Sequence, residues 1–256
     1  MCRRKGNLHR SAVKKAAVSQ QPLFKNSARE EAHINGQQLK TLAAFFMLLD
    51  HIAVIIIFSL LGSSPWLLPV FTLLRTVGRL SFPIFCFLLS EGFRHTKSRK
   101  RYFLRLACFA VISEIPFNLA YAGTVYCSDK QNIFFTLAAA LVTLCAFERF
   151  KNSLPLKIAA TAAGCAVSLL LNTDYAVTGI IIPLMFYISS NNADRLFLAG
   201  SVAFFDSLQF YGAGILSLIP ISFYNQKRGN GSSLFFYLFY PLHFIALLFI
   251  KHIMSI

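Results

Sequence analysis

Long apolar runs, each bounded by a short polar or basic segment, make up most of the chain after residue 37. The runs are continuous rather than alternating, which favours helices over strands, and they recur at a length that can cross a bilayer. Because a lipid core accepts only helices or closed barrels, the pattern predicts an all-α, polytopic transmembrane helical bundle. We place nine helices, at about 39–61, 68–92, 101–121, 132–148, 154–172, 175–190, 195–206, 210–224 and 233–251. The second is long enough to tilt or break at Pro83.

The cations of the chain fall in alternate segments between these helices. Of the 25 Lys and Arg residues, 21 lie in 1–40, 94–105, 148–157, 190–195 and 225–232. By the positive-inside rule these segments face the cytoplasm. The count therefore predicts an odd number of helices, with the N-terminus inside and the C-terminus outside. Topology alone explains the net charge of +15, so we expect no nucleic-acid partner.

The first 37 residues differ in composition from the rest of the chain. They hold eight Lys and Arg against two Glu and contain no apolar segment, which predicts a disordered basic cytoplasmic tail rather than a secretory signal. Their Arg-rich, acid-poor start also fits an organellar transit peptide. Residues 38–256 form the predicted transmembrane domain, in agreement with a chain that is 56% hydrophobic, with a mean hydropathy of +0.58. The six cysteines are scattered, without a CxxC spacing, so we predict no metal site.

Five ionisable residues interrupt the apolar runs at a similar depth. A helical rise of about 1.5 Å per residue puts Asp50, His51, Arg79, Glu114 and His243 roughly 15–20 Å from the predicted inner ends of four helices. Charged groups are costly in hydrocarbon, so they usually face a bundle interior or a wet cavity. The pattern predicts one shared polar cavity near the midplane. Structural ion pairs that tie the helices together are the alternative.

Helix geometry assigns partners within this set. Adjacent helical residues point about 100° apart, so we expect Asp50 to pair with Arg79 or another helix and His51 to be oriented by some other group. Arg79 needs a buried anionic partner, for which Asp50 and Glu114 are the candidates. Imidazole is well suited to take a proton near neutral pH. His51 is therefore our first candidate for a general base, and His243 the second.

Six segments of the chain, in order and across nearly the whole of 39–250, resemble the TraX family. They are LKTLAAFFMLLDHIAV, GRLSFPIFCFLLSEGFRHT, KRYFLRLACFAVISEIPFNLA, QNIFFTL, DYAVTGIIIPLMFY and FYLFYPLHFIALLFI. The basic tail lies outside the family pattern, and DYAVTG departs from the more glycine-rich form expected there. The resemblance implies a bacterial integral membrane protein that transfers acetyl groups from acetyl-CoA, to a pilin N-terminus in the family's namesake.

We therefore predict an acetyl-CoA-dependent N- or O-acetyltransferase of the bacterial cytoplasmic membrane, acting on an envelope protein or glycan. The candidate catalytic residues are the five at the shared depth: Asp50, His51, Arg79, Glu114 and His243. The basic loop between the second and third helices is a candidate for binding the phosphates of coenzyme A. Its cations are Arg94, Lys97, Arg99, Lys100, Arg101 and Arg105. Topology alone also accounts for this loop.

Two other functions remain open from the sequence. A proton-coupled transporter or flippase also uses buried Asp, Glu, His and Arg, and proline-broken helices also describe a transport site. A non-catalytic assembly factor is the third hypothesis. It predicts that the buried histidines can be replaced without loss of phenotype.

Overall fold

The protein is helical throughout the part that the computed structural model describes, residues 34–255. Only two isolated β-bridges, and no strands, occur in that part. The predicted number of nine helical segments is confirmed over the same residues. They are α1 Gly36–Leu60, α2 Pro65–His95, α3 Arg99–Ala122, α4 Ile133–Arg149, α5 Leu154–Leu170, α6 Ala176–Ile188, α7 192–206, α8 Ala213–Ser222 and α9 Ser233–Ile253.

The N-terminus of α1 is fixed by a capping box. Asn35 Oδ1 accepts hydrogen bonds from the backbone N–H groups of Gln37 and Gln38, at 3.0 Å each, and Gln38 Oε1 accepts from Asn35 N–H at 2.8 Å. These contacts satisfy backbone donors that have no partner in the first helical turn. Ile34 also pairs with Tyr224. The predicted boundary at residue 38 therefore falls inside α1, and the rest of the predicted tail, residues 1–33, lies outside the described residues.

Two of the long helices are irregular close to their buried polar residues. In α1, the five residues Ala53–Ile57 form a π-helical turn that begins two positions after His51. In α2, the α-helix ends at Gly78 and resumes at Ser81. Pro83 has no N–H for the carbonyl of residue 79, which explains why the helix breaks there. Of the tilt or break that the sequence allowed at Pro83, the structure shows a break, which lies at residues 79–80.

Contacts between loops divide the bundle into two ends. At one end, Gly36 N–H donates to the Lys227 carbonyl at 2.8 Å and Arg99 pairs with Glu148. We call this the basic end, because it carries the predicted inside segments that the structure describes. At the opposite end, Lys130 Nζ lies 2.6 Å from an oxygen of Asp174. The alternation of segments that the charge count assumed is therefore present, while the assignment of the basic end to the cytoplasm stays a prediction.

Four helices of the described chain are long and apolar enough to cross a membrane: α1, α2, α3 and α9. At about 1.5 Å per residue, the 25 residues of α1 extend roughly 37 Å, against about 30 Å of hydrocarbon. Shorter apolar helices, including α5 and α6, complete the bundle. Large apolar side chains such as Val111 and Phe249 are about two-thirds exposed on its surface. Such a surface suits contact with lipid, and the protein is a membrane protein.

Candidate functional site

A cavity of about 540 Å³ extends from the basic end into the bundle. Its mouth includes exposed residues of the basic end, and its deep wall includes Asp50 and His51 of α1. Its polar and charged lining residues are Lys40, Asp50, His51, Ser81, Glu91, His95, Thr96, Tyr102, Arg105, Asp174, Tyr175, Tyr224, Gln226, Arg228, Tyr237 and Tyr240. Of the five residues predicted to share one polar cavity, Asp50 and His51 line it, whereas Arg79, Glu114 and His243 do not.

Asp50 is the centre of a buried ion cluster. Its Oδ2 lies 2.6 Å from a guanidinium nitrogen of Arg75, and its Oδ1 lies 2.8 Å from one of Arg79. The three side chains are between 9% and 17% exposed. Of the two anionic partners expected for Arg79, the structure shows Asp50, and Arg75 is a second partner of the same carboxylate. One carboxylate against two guanidinium groups leaves the cluster with a net charge of +1.

A glycine permits the close approach of α1 and α2 at this cluster. A Cβ on Gly78 would lie 2.5 Å from both Cβ and Oδ1 of Asp50, a distance that real Cβ contacts do not reach. Gly78 is also the last residue of the first part of α2. Its missing side chain therefore lets the carboxylate of Asp50 sit between Arg75, in the last turn before the helix break, and Arg79, within the break. The two guanidinium groups also lie about 5 Å from the ring centre of Phe210, within cation–π range.

His51 and His243 form a buried pair between α1 and α9. Their atoms Nδ1 and Nε2 are 2.5 Å apart, and the rings are nearly parallel. His51 is 8% exposed and His243 5%. Phe244, which is fully buried, packs its ring 4.6 Å from the His51 ring centre. The group that orients His51, left open by the sequence, is therefore His243.

The hydrogen bonds fix which nitrogens carry protons when both rings are neutral. His243 Nδ1 lies 3.0 Å from the Phe239 carbonyl, which can only accept, so Nδ1 carries the proton and donates. His243 Nε2 is then an acceptor, and His51 Nδ1–H donates to it. This arrangement leaves Nε2 of His51 with a free lone pair. Among the described residues, none hydrogen-bonds to that nitrogen, and His51 lines the cavity.

Glu114 lies apart from this group, contrary to the sequence prediction. Its Oε2 accepts a hydrogen bond from Asn132 Nδ2 at 2.5 Å, and Asn132 is the N-cap residue of α4. Glu114 does not line the cavity. Helical rise fixes the depth of a residue along the bundle but not the direction of its side chain. A carboxylate near a helix N-terminus has a structural role, because it complements the partial positive charge there.

The cations of the loop between α2 and α3 occupy different environments. Arg94 pairs with Glu91 at 2.9 Å and donates to the Tyr187 carbonyl at 2.5 Å, and Arg99 pairs with Glu148. Three others are exposed and do not line the cavity: Lys97, Lys100 and Arg101. Of the six candidates for the coenzyme A phosphates, Arg105 alone lines the cavity.

Several residues of the cavity were not candidates from the sequence. Lys40 and Arg228 line its mouth, although the sequence counted them only as topology signals. Asp174 and Tyr175 line its deep part. Tyr175 stacks on Phe82, with ring centres 3.5 Å apart. In the described chain, no group of three or more His, Cys, Asp or Glu side chains has the arrangement to hold a metal ion.

Comparison of the sequence with known proteins identifies a family and a similar protein. The sequence model of the family described as TraX protein matches residues 35–251. The chain is also similar to the "Probable fimbrial assembly protein FimC, serogroup H1" of Dichelobacter nodosus. The two are 33% identical over 239 residues, which cover 82% of this chain and 93% of the relative. No solved structure matches the chain.

Proposed function

Because this chain belongs to the TraX family, we propose that it is a membrane acetyltransferase that moves an acetyl group from acetyl-CoA to an amine or hydroxyl of an envelope acceptor. The observation that carries the proposal is the His51–His243 pair, whose free nitrogen belongs to a residue lining a cavity open at the basic end. We place the protein in the bacterial cytoplasmic membrane, with the basic end toward the cytoplasm, where acetyl-CoA is available.

The proposed chemistry assigns His51 as the general base. Nε2 of His51 takes the proton from the acceptor amine or hydroxyl as that group attacks the thioester carbonyl. The resulting tetrahedral intermediate collapses, the carbon–sulfur bond breaks, and the proton from His51 passes to the departing thiolate. The products are the acetylated acceptor and free coenzyme A. His243 holds the His51 ring and accepts its Nδ1–H throughout, in the way that an orienting group serves other catalytic histidines.

The ion cluster gives the proposed site a positive field. Asp50 precedes His51 in the chain, and both Arg75 and Arg79 lie close enough to act electrostatically on the His51 ring. A net charge of +1 in surroundings of low polarity favours the negative charge that develops on the thioester oxygen. Asp50 keeps the two guanidinium groups fixed, so little reorganisation is needed during the reaction. We assign Arg79 and Arg75 to this electrostatic role and Asp50 to their positioning.

The size of the cavity suits one arm of the donor. Ligand pockets usually measure about 300–1,000 Å³, and this cavity is about 540 Å³. A cavity of this size accommodates the acetyl-pantetheine arm of acetyl-CoA with the nucleotide at the mouth. Gly92 at the mouth leaves room for Tyr102, whose hydroxyl would lie 3.0 Å from an added Cβ.

The proposal can be tested with purified full-length protein in lipid nanodiscs. We expect release of coenzyme A thiol from acetyl-CoA when an extract of envelope proteins and glycans is present, together with gain of one acetyl group by a component of that extract. Mass spectrometry of envelopes from cells with and without the chain identifies the acceptor. Uptake of a proton-coupled solute by vesicles, without acetyl-CoA turnover, would support the transporter alternative instead.

A non-catalytic assembly factor is the second candidate, favoured by the name of the fimbrial relative. In that case the buried histidines serve packing, and His51→Gln supports normal assembly of surface fibres. The acetyltransferase proposal expects a loss of acceptor acetylation in the same variant, at unchanged protein level.

A further inference from the structure

We infer that Lys40, Arg105 and Arg228 form a phosphate-binding site at the mouth of the cavity. The site would take the nucleotide phosphates of a long acyl donor whose thioester end reaches His51. This inference deepens the proposed function by assigning the residues that hold the donor. It also replaces most of the cations that the sequence proposed for the same purpose.

The three cations come from three separate elements. Lys40 lies in the second turn of α1, Arg105 in α3, and Arg228 in the loop between α8 and α9, and all three line the cavity. Lys40 lies one helical turn after Gly36, which packs against the backbone of Arg228, and Arg105 lines the same cavity. The three cations are far apart in the sequence, so the folded structure is what brings these like charges together.

Backbone hydrogen bonds hold the loop that carries Arg228 against the start of α1. Ile34 N–H donates to the Phe223 carbonyl at 3.1 Å, and Gly36 N–H donates to the Lys227 carbonyl at 2.8 Å. A Cβ on Gly36 would lie 3.3 Å from the Arg228 carbonyl oxygen, so a glycine favours the close approach. The position of Arg228 at the mouth is thus built into the fold.

No carboxylate neutralises these cations within the described chain. The ion pairs of residues 34–255 involve other basic side chains, such as Arg94 and Arg99. Glu91 is the acidic residue of the cavity at this end; its Oε1 pairs with Arg94 at 2.9 Å, and its Oε2 lies 3.6 Å from His95. Gathering three cations is unfavourable unless an anion binds among them. A phosphate or diphosphate group supplies the charge and the acceptor oxygens that such a site recognises.

The length of the cavity restricts the donor. Ten residues separate Lys40 from Asp50 along α1, so the mouth and the deep wall are about 15 Å apart at 1.5 Å per residue. A small acyl phosphate cannot contact the three cations and His51 at the same time. A nucleotide joined to its thioester by a long flexible arm can do both.

The test uses adenosine 3′,5′-bisphosphate, which resembles the nucleotide end of coenzyme A and cannot react. Binding to the purified full chain in neutral detergent is compared for wild type, for Lys40→Ala combined with Arg228→Ala, and for Lys97→Ala combined with Lys100→Ala. The last pair removes the same charge from the same end but lies outside the cavity. We expect at least a tenfold loss of affinity for the first pair, since a hydrogen bond to a charged group is commonly worth a factor of about ten. The control should change less than twofold.

Three results separate this inference from its competitors. Equal losses in both double variants would overturn it, because the probe would then sense only overall charge. The protein could instead bind vesicles that contain an anionic phospholipid, lose that binding in the first double variant, and show no affinity for the bisphosphate. This result would overturn the nucleotide assignment in favour of a lipid headgroup. Specific bisphosphate binding in a protein that shows no acetyl transfer would support the site and refute the proposed function. Circular dichroism of each variant checks that a loss of affinity does not reflect misfolding. The single variant Arg228→Ala, which changes only an exposed loop, is a second check.

Discussion

Replacement of Asp50 by Asn should destabilise the bundle strongly. The substitution keeps the shape of the side chain but removes the single negative charge that lies between Arg75 and Arg79. The cluster then changes from a net charge of +1 to +2 while its side chains remain about nine-tenths buried. Removing one partner of a buried ion pair usually costs about 3–5 kcal/mol. Because two cations lose their partner here, we expect a loss in the upper part of that range.

A partly exposed ion pair provides the matched control for this change. Glu148, which pairs with Arg99, is about one-third exposed, and its partner is about half exposed. Pairs of this kind contribute about 0–1 kcal/mol, so Glu148→Gln should have little effect. Arg79→Leu should cost less than Asp50→Asn, because Asp50 retains Arg75 as a partner. The order of the three variants therefore tests the charge arrangement rather than the general sensitivity of the protein.

The assay is denaturant unfolding of the purified protein in detergent, monitored by circular dichroism. Protein yield in membranes is a second readout. The expected order of destabilisation is Asp50→Asn, then Arg79→Leu, then Glu148→Gln. Equal effects of Asp50→Asn and Glu148→Gln would refute the reasoning, since the buried cluster would then be no more important than a surface pair.

Three further predictions follow from other parts of the chain. Ala176 has φ of +41°, so Ala176→Gly should raise the free energy of unfolding by about 1 kcal/mol. Ala139→Gly, inside α4, should lower it by a similar amount. Thermal unfolding of the two variants distinguishes a gain from a loss of stability. Deletion of residues 2–32 should preserve bisphosphate affinity, while deletion of residues 2–36 should weaken it, because the latter removes the bonds of Ile34 and Gly36 to the loop of Arg228. A reporter that fluoresces only in the cytoplasm should stay dark after Ile256, and a bright signal would exclude the predicted orientation.

The helices and their order could be predicted from the sequence because hydrophobic length and charge placement act locally. A distortion of α2, by tilt or by break, was also predictable, since Pro83 cannot bond to the carbonyl four residues earlier. A buried anionic partner for Arg79 was predictable from cost, because an unpaired cation at that depth is too unfavourable, but the choice of Asp50 over Glu114 was not. Each of these inferences needs only the segment itself or one electrostatic rule.

The remaining features depend on contacts between distant parts of the chain. His51 and His243 are separated by 192 positions, and their equal depth did not establish that their rings meet. Glu114 shared that depth but faces Asn132 at the start of α4. Lys40 and Arg228 carried the same topological signal as every other inside cation, and only the packing of their elements brings them to one cavity.

The central claim is that His51 is a general base held by His243, and the rate of acetyl transfer in matched histidine variants tests it most directly. Thiol release from acetyl-CoA is measured with envelope extract for wild type, His51→Gln, His243→Gln, His243→Leu and the exposed control His252→Gln, each checked for monodispersity. His51→Gln should reduce the rate by roughly a hundredfold or more, the usual scale for a general base, and should keep bisphosphate affinity. His243→Gln, which retains an acceptor for His51, should keep more activity than His243→Leu. Near-normal turnover by His51→Gln would contradict the account.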